Sequence, residues 1–340
     1  MKEAIVHPGV QVEIVDSTIP EPNDDQVLIK VVVSGSNPKD WKLPEWTKQP
    51  RNEGDDIAGI VEEVGANVTE FKPGDRVAAF HEMVTAHGSY AEYAIAWAHT
   101  TFHIPKNTSF EEAAAIPLAA MTAAIGLYLR LGLPEPWQQP TPPATPTPLV
   151  IYGAASAVGA YAVQLAARSN IHPLICVAGR GAAHVETLID RSKGDTIVDY
   201  RGSDDAVVDG IKAAIPAGVP LLHAYDAVSE KGSYVNLGRV LAAGGTITLV
   251  LPFKDYEGIP EYVTQTITNV GAVHTDAQYF GYVWFRVFAK GLRDGWFRAQ
   301  PQEIVPGGLG GVRTALENLR DGKASAVKYV FRIAETEGMA

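Results

Sequence analysis

The chain of 340 residues has a single cysteine, Cys176, which excludes an intrachain disulfide and any zinc site built on several thiolates. It has no basic block: 28 Lys and Arg stand against 39 Asp and Glu, a net charge of −11. A protein that tracks a phosphate backbone needs a basic face, so nucleic acid is not an expected partner, and the charge suits solubility. No apolar run approaches the roughly 18 residues of a membrane span, and the start, Met1-Lys-Glu-Ala-Ile-Val-His-Pro, lacks the apolar core of a signal peptide. The expectation is a reduced, soluble, cytoplasmic protein without membrane contact. With 46% apolar and 20% charged residues, the composition is that of an ordinary folded chain, long enough for two domains.

The first hundred residues read as short strands separated by turns. Val27-Leu-Ile-Lys-Val-Val-Val33 and Ile57-Ala-Gly-Ile-Val-Glu-Glu-Val64 are β-branched runs, and Pro73-Gly-Asp75 marks a turn before Arg76-Val-Ala-Ala-Phe80. Gly88-Ser-Tyr-Ala-Glu-Tyr-Ala-Ile95 alternates again, so a β-rich domain is expected. Ser109-Phe-Glu-Glu112 is a capping box and starts a helix, which Pro117 interrupts and the stretch 121–131 resumes. Residues 134–148 hold seven prolines in fifteen and read as a surface insertion. Their composition also suits docking to a proline-binding partner, the less economical reading.

From Leu149 strands alternate with helices, the pattern of βαβ units in a doubly wound parallel sheet. Expected strands are 149–152, 172–178, 196–200, 221–226 and 246–251, with helices at 157–169 and 184–190. The aromatic run 279–285 suits helix packing better than a pocket wall. A helix at 311–321 and a strand at 328–333 return to the first domain. The expected division is 1–121 with 291–340 for the β-rich domain and 122–290 for the doubly wound one.

Gly153-Ala-Ala-Ser-Ala-Val-Gly159 lies between the first strand and helix of that pattern. There, small residues let the backbone approach a pyrophosphate, and the helix N-terminus offers amides and positive dipole. Ala155 occupies the middle position of a G-x-G-x-x-G motif, so the turn is read from its βαβ setting rather than its letters. The second strand runs into Ala178-Gly-Arg-Gly181, with no acid to bond a ribose 2′-hydroxyl. Arg180 suits a 2′-phosphate, which favours NADPH over NADH.

Ser36-Asn-Pro-Lys-Asp40, Gly54-Asp-Asp-Ile-Ala-Gly-Ile-Val-Glu-Glu-Val-Gly65, Phe71-Lys-Pro-Gly-Asp-Arg-Val77, Gly88-Ser-Tyr-Ala-Glu-Tyr93 and the phosphate turn together resemble the medium-chain dehydrogenase/reductase superfamily. Within it the chain is similar to the zinc-independent quinone and enoyl reductases, including the fungal trans-acting enoyl reductases of polyketide pathways. The resemblance implies an α/β fold, a doubly wound Rossmann domain plus a β-rich GroES-like catalytic domain. It also implies that Asn37, Pro38, Lys39, Asp40 and Lys42 border the nicotinamide or its ribose, with Thr122 in contact. Ala155, Ser156, Ala157 and Val158 would hold the pyrophosphate, and Ala178, Gly179, Arg180, Gly181 and Tyr200 the adenosine phosphate side. On residue type alone, Tyr200 suits core packing as well as a ligand role. Val250, Leu251, Val327 and Lys328 would approach the nicotinamide, and Pro117, Leu118, Met121 and Ala124 the substrate.

Zinc enzymes of this superfamily carry a Cys where Ser36-Asn37 stands, Gly-His-Glu where Gly54-Asp-Asp56 stands, and a four-Cys lobe. None of these is present, and His81 and His87 read as loop residues. No metal is expected. Without a Lewis acid, carbonyl reduction is demanding. Conjugate reduction of an enone, enoyl thioester or quinone is less so, because charge develops on a carbonyl oxygen that amides or hydroxyls can stabilise. Lys42 and Tyr90 are the candidate proton donors, with solvent as the alternative. The expected substrate is a small or carrier-bound enone or enoyl compound. The competing readings are a non-catalytic NADPH-binding partner protein and a carbonyl or alcohol dehydrogenase. An edge strand near Val270 would serve a homodimer.

Overall fold

The computed structural model describes residues 1–138 and 146–338. Two compact units divide it, 1–121 with 271–340 and 122–270. Part of the proline-rich stretch, 139–145, lies outside the described residues, and with it any docking role for that segment.

The first unit begins with an antiparallel pair, β1 (Lys2–His7) and β2 (Gln11–Asp16). β3 (Gln26–Gly35), β4 (Asp56–Val64), β5 (Arg76–Phe80), β6 (Tyr93–Trp97) and β7 (Thr101–His103) follow, with helix α1 (Lys39–Thr47) between β3 and β4. β3 is central, pairing antiparallel with β4 and β6. Its inward Val27, Ile29 and Val31 meet Ile57, Val61 and Val77 in one core. The capping box closes as expected before α2 (Phe110–Ala114): the Glu112 amide donates to Ser109 Oγ at 3.1 Å, and the Ser109 amide to Glu112 Oε2 at 2.8 Å. Pro117 does not merely interrupt a helix. It opens α3 (Pro117–Ala124), where a missing amide costs nothing, and the chain then widens into a π-turn at Ile125–Arg130.

The second unit is a parallel sheet with its own core of Val150, Ile175, Val177, Ala224, Ile247 and neighbours. Its elements are β8 (Leu149–Tyr152), α4 (Ala157–Arg168), β9 (Leu174–Ala178), α5 (Ala182–Glu186), β10 (Thr196–Asp199), α6 (Asp204–Ala214), β11 (His223–Asp226), α7 (Ser233–Gly238), β12 (Thr246–Leu249) and β13 (Thr264–Ile267). The order β10-β9-β8-β11-β12-β13 reverses direction between β8 and β11, the switch point at which such sheets bind ligands. The edge strand expected near Val270 is β13, and Val270 itself begins a 3-10 turn.

The chain rejoins the first unit through α8 (Gln278–Asp294), β14 (Gln302–Ile304), α9 (Val312–Arg320) and β15 (Lys328–Arg332), which pairs antiparallel with β3. The sequence reading set this return at 291, whereas the compact units divide at 271. The reason is aromatic packing. Phe285 stacks on Phe102 of β7 at 5.8 Å and Phe288 on Phe297 at 5.2 Å, so α8 belongs to the first unit's core. The aromatic run therefore packs a helix, with Trp284 and Phe285 buried and Tyr279 left 90% exposed.

Candidate functional site

In the first unit, the turn between β3 and α1 faces the segment that leads into β4, and charged side chains fill the space. Asp56 is fully buried at the start of β4. It accepts from the Leu118 amide (2.7 Å), Asn37 Nδ2 (2.8 Å) and Lys328 Nζ (2.7 Å), and Lys328 also donates to Asn37 Oδ1 (2.7 Å). A carboxylate with three donors and a buried ammonium satisfies the requirement that an interior ion be paired.

A second group surrounds Lys39. Its Nζ lies 3.1 Å from Asp40 Oδ1, 3.2 Å from Glu53 Oε2 and 2.5 Å from Asp55 Oδ2, and it donates to the Glu53 carbonyl oxygen at 2.7 Å. Asp40 Oδ2 takes the Tyr90 hydroxyl proton at 2.5 Å and the Asn37 amide at 2.6 Å. Burial raises Asp40, Glu53 and Asp55 above the usual carboxylate range despite the nearby ammonium, Asp55 being pushed up to about 8. For Lys39 burial opposes the charge, but the three carboxylates outweigh it and raise the group.

Of the residues expected at the nicotinamide, the structure brings Asn37, Lys39, Asp40 and Lys328 together, in these two networks. Lys328 faces inward onto Asp56 rather than standing open, and Val327 packs against the core. Lys42 lies beside Trp41, its Nζ 5.5 Å from the ring centre. Tyr90 is fully buried, its hydroxyl already given to Asp40, and burial pushes its ionisation well up, so it does not stand ready as a proton donor. Pro117, Leu118 and Met121 are buried. His81, in the loop after β5, is buried with Nδ1 2.8 Å from the Ile95 carbonyl oxygen. Among the described residues, no group of three or more His, Cys, Asp or Glu side chains is placed to hold a metal ion.

In the second unit the Gly153 turn is built as a cradle. Gly153 takes φ +77°, and its amide and that of Ala154 both donate to the Val177 carbonyl oxygen at 3.0 Å, tying the turn to β9. Ser156 caps α4 by accepting from the Gly159 amide at 3.1 Å. A Cβ on Gly159 would sit 2.2 Å from the Gly153 carbonyl oxygen, so only glycine allows helix and strand this close. Ala155, Ser156, Ala157 and Val158 remain half-buried at the amide-rich start of the helix, which fits a pyrophosphate. At the end of β9, Ala178, Gly179 and Gly181 are buried and Arg180 is exposed. Tyr200 is not a core residue: it is 43% exposed, stacks on Tyr152 with ring centres 6.4 Å apart and planes 29° from parallel, and covers Gly179. Thr122 accepts the Tyr225 hydroxyl on its carbonyl oxygen, and Ala124 is buried. Val250 donates its amide to Ser229 Oγ at 2.9 Å, and Leu251 accepts the Tyr256 hydroxyl at 2.6 Å.

Sequence reasoning missed Glu53, Asp55 and Asp56 as a connected set, and Asp226 with Ser229. A signal existed for the first: three acids within four positions lead directly into an apolar strand, where unpaired charge is not tolerated. Asp226 ends β11 and accepts from the Ser229 amide (2.8 Å) and the Ser233 hydroxyl (2.6 Å), shaping the loop that carries Ser229 to Val250.

Comparison with known proteins agrees with this architecture. The alcohol dehydrogenase GroES-like domain model matches residues 23–106. The trans-enoyl reductase fsr4 of Gibberella fujikuroi is 52% identical over 310 residues, covering 90% of this chain and 91% of that protein. The trans-enoyl reductase resD of Aspergillus sclerotiorum is 33% identical, covering 96% and 98%. Among solved structures, an alcohol dehydrogenase superfamily protein from Novosphingobium aromaticivorans superposes with a TM-score of 0.79 at 20% identity, over 98% of this chain and 99% of that one, a likeness of fold.

Proposed function

The chain belongs to the fungal trans-enoyl reductase branch of the medium-chain dehydrogenase/reductase superfamily, and on that premise we propose that it reduces the conjugated double bond of a carrier-bound enoyl thioester with NADPH. It is an oxidoreductase with a nicotinamide cofactor. The choice of NADPH and the carrier-bound substrate are our reading, as are a cytoplasmic setting and pairing of two copies along the edge of β13 (Thr264–Ile267).

The observation that carries the reading is the β8–α4 turn at the switch point of the second unit, closed by Gly159 against Gly153. Ala155 to Val158 would hold the pyrophosphate by backbone amides. Arg180 would meet a 2′-phosphate with a charge-assisted fork, at a strand end whose sequence, Ala178-Gly-Arg-Gly181, lacks the acid that bonds a ribose 2′-hydroxyl. Bound, the reduced nicotinamide supplies a hydride to the substrate β-carbon.

The chain's own residues then have three tasks. Helix and strand ends orient the cofactor, backbone amides or hydroxyls stabilise the charge growing on the thioester oxygen, and a proton must reach the α-carbon. The fixed network of Asn37, Asp56 and Lys328 holds the β3–α1 turn rigid for the first task. The test is a comparison of NADPH and NADH consumption with a 2-enoyl pantetheine thioester, a quinone and a simple aldehyde. The reading expects NADPH consumption with the thioester. Consumption with the aldehyde alone would move the protein to the carbonyl reductases, and tight NADPH binding without turnover would make it a binding partner.

A further inference from the structure

We infer that Ser229 is a positioning residue that fixes the loop after β12 for the nicotinamide half of the cofactor, an inference that rests on the dinucleotide reading of the β8–α4 turn above. Within the second unit, β8, β11 and β12 are parallel neighbours, with Tyr152 opposite Asp226 and Asp226 opposite Leu249. Their C-terminal ends therefore stand in a row, about 4.8 Å from one strand to the next. β9 flanks β8 on the other side and leads into Ala178-Gly-Arg-Gly181. A dinucleotide with its pyrophosphate at the β8–α4 turn and its adenosine phosphate at the β9 end lays its second nucleotide across the β11 and β12 ends.

The segment after β11 links these ends to the phosphate turn. A Cβ on Gly153 would lie 2.5 Å from Val228 Cγ2, so the segment abuts the turn directly. Asp226 is fully buried and accepts from the amides of Val228 (3.0 Å) and Ser229 (2.8 Å) and from the Ser233 hydroxyl (2.6 Å). Ser229 is buried as well, at φ +56°, a left-handed backbone that glycine adopts freely and serine does not. In that conformation its hydroxyl donates to the Asp226 carbonyl oxygen (3.0 Å) and accepts from the Val250 amide (2.9 Å). One side chain thus ties the end of β11 to the first residue of the loop after β12.

The rest of that loop is pinned to the same place. Lys254 Nζ donates to the Ser229 carbonyl oxygen at 2.9 Å and lies 4.6 Å from the Tyr234 ring centre and 5.3 Å from that of Tyr256. The Tyr256 hydroxyl returns to the Leu251 carbonyl oxygen at 2.6 Å. Between these ties Phe253 takes φ +61° and is left 93% exposed. Burial of the ring does not account for that backbone; the ties on either side impose it. Strain over-determined in this way gathers at ligand clamps. Here it fixes where the loop backbone stands over the β11 and β12 ends, the place of the nicotinamide.

Ser229→Gly separates positioning from folding. Glycine keeps the left-handed backbone and relieves its strain, while the hydroxyl that holds Val250 is gone. NADPH binding, followed by fluorescence titration, should weaken about tenfold, the order of one buried hydrogen bond left unmade. Binding of 2′-phospho-ADP-ribose, the same molecule without its nicotinamide, should be unchanged by calorimetry. Equal weakening of both probes makes Ser229 a support of the whole sheet end and overturns the inference, as does no weakening of either. Wild type guards against a variant that fails to fold. NADPH should slow hydrogen exchange across 250–256 and 2′-phospho-ADP-ribose should not; protection by both or by neither overturns the inference. NADH and ADP-ribose run in parallel keep the two readings apart. Wild type that binds only this pair overturns the NADPH reading alone, and the same contrast is then read on that pair. Wild type that binds no nucleotide overturns the dinucleotide reading and the role of Ser229 with it.

Discussion

Asp56 shows how a single buried carboxylate constrains the residues around it. Its partners come from three distant parts of the chain: Asn37 before α1, the Leu118 amide in α3 and Lys328 in β15. Removing one ion of a buried pair leaves the other uncompensated, so Lys328→Met should cost about 3–5 kcal/mol in urea unfolding. Lys328→Met with Asp56→Asn should recover part of that loss, because the amide oxygen still accepts from Leu118. Equal destabilisation by the single and double changes would show that packing, not charge, dominates. Two histidines give a second expectation. Burial pushes His81 down to about 4 and His274 to about 3, both from 6.5. The unfolded chain therefore binds more protons than the folded one across this range. Their contribution is fully present above about pH 6.5 and is lost as pH falls through 4 and then 3, for His81 by about 3 kcal/mol at most. Urea midpoints of wild type and His81→Gln across that range measure it, and the variant should show a shallower acid slope.

At the scale of elements, the β8–α4 turn makes the sharpest claim. Gly159→Ala would drive a methyl group into the Gly153 carbonyl oxygen, 2.2 Å away, and must open the turn. NADPH binding measured by fluorescence titration should weaken about tenfold or more, equivalent to about 1.4 kcal/mol. Arg180→Ala should weaken NADPH by a similar factor, the usual worth of a hydrogen bond to a charged group, and leave NADH unchanged. Equal losses for both cofactors would remove Arg180 from 2′-phosphate recognition. The elements themselves were largely legible. Short β-branched runs and alternation gave β3, β4, β8 and β12 to within a few residues, because these patterns follow from burial on one or both faces. Boundaries were less so: the helix expected at 184–190 is α5 (Ala182–Glu186), which starts two residues earlier behind Gly181 and ends four residues sooner. The three acids ahead of β4 were a local signal, but their partners in the Lys39 and Asp56 networks were not legible. The contact from Lys328 to Asp56 spans 272 positions, and no local period carries information over that distance.

On the scale of the whole molecule, each unit has a separate core and its own network, and the chemistry divides accordingly. On our reading the β8–α4 turn of the second unit holds the dinucleotide, and the buried charge networks of Asp56 and Lys39 belong to the first. The net charge of −11 gives no general attraction for an anionic cofactor, so our reading assigns the affinity to local groups, the α4 amides and Arg180. The measurement that tests the account most directly is reduction of a 2-enoyl pantetheine thioester with NADPH deuterated at the nicotinamide C4 position, followed by mass spectrometry of the product. The account predicts a saturated thioester with one deuterium at the β-carbon and a solvent proton at the α-carbon. A product reduced at the carbonyl, or a saturated product without deuterium, would contradict it.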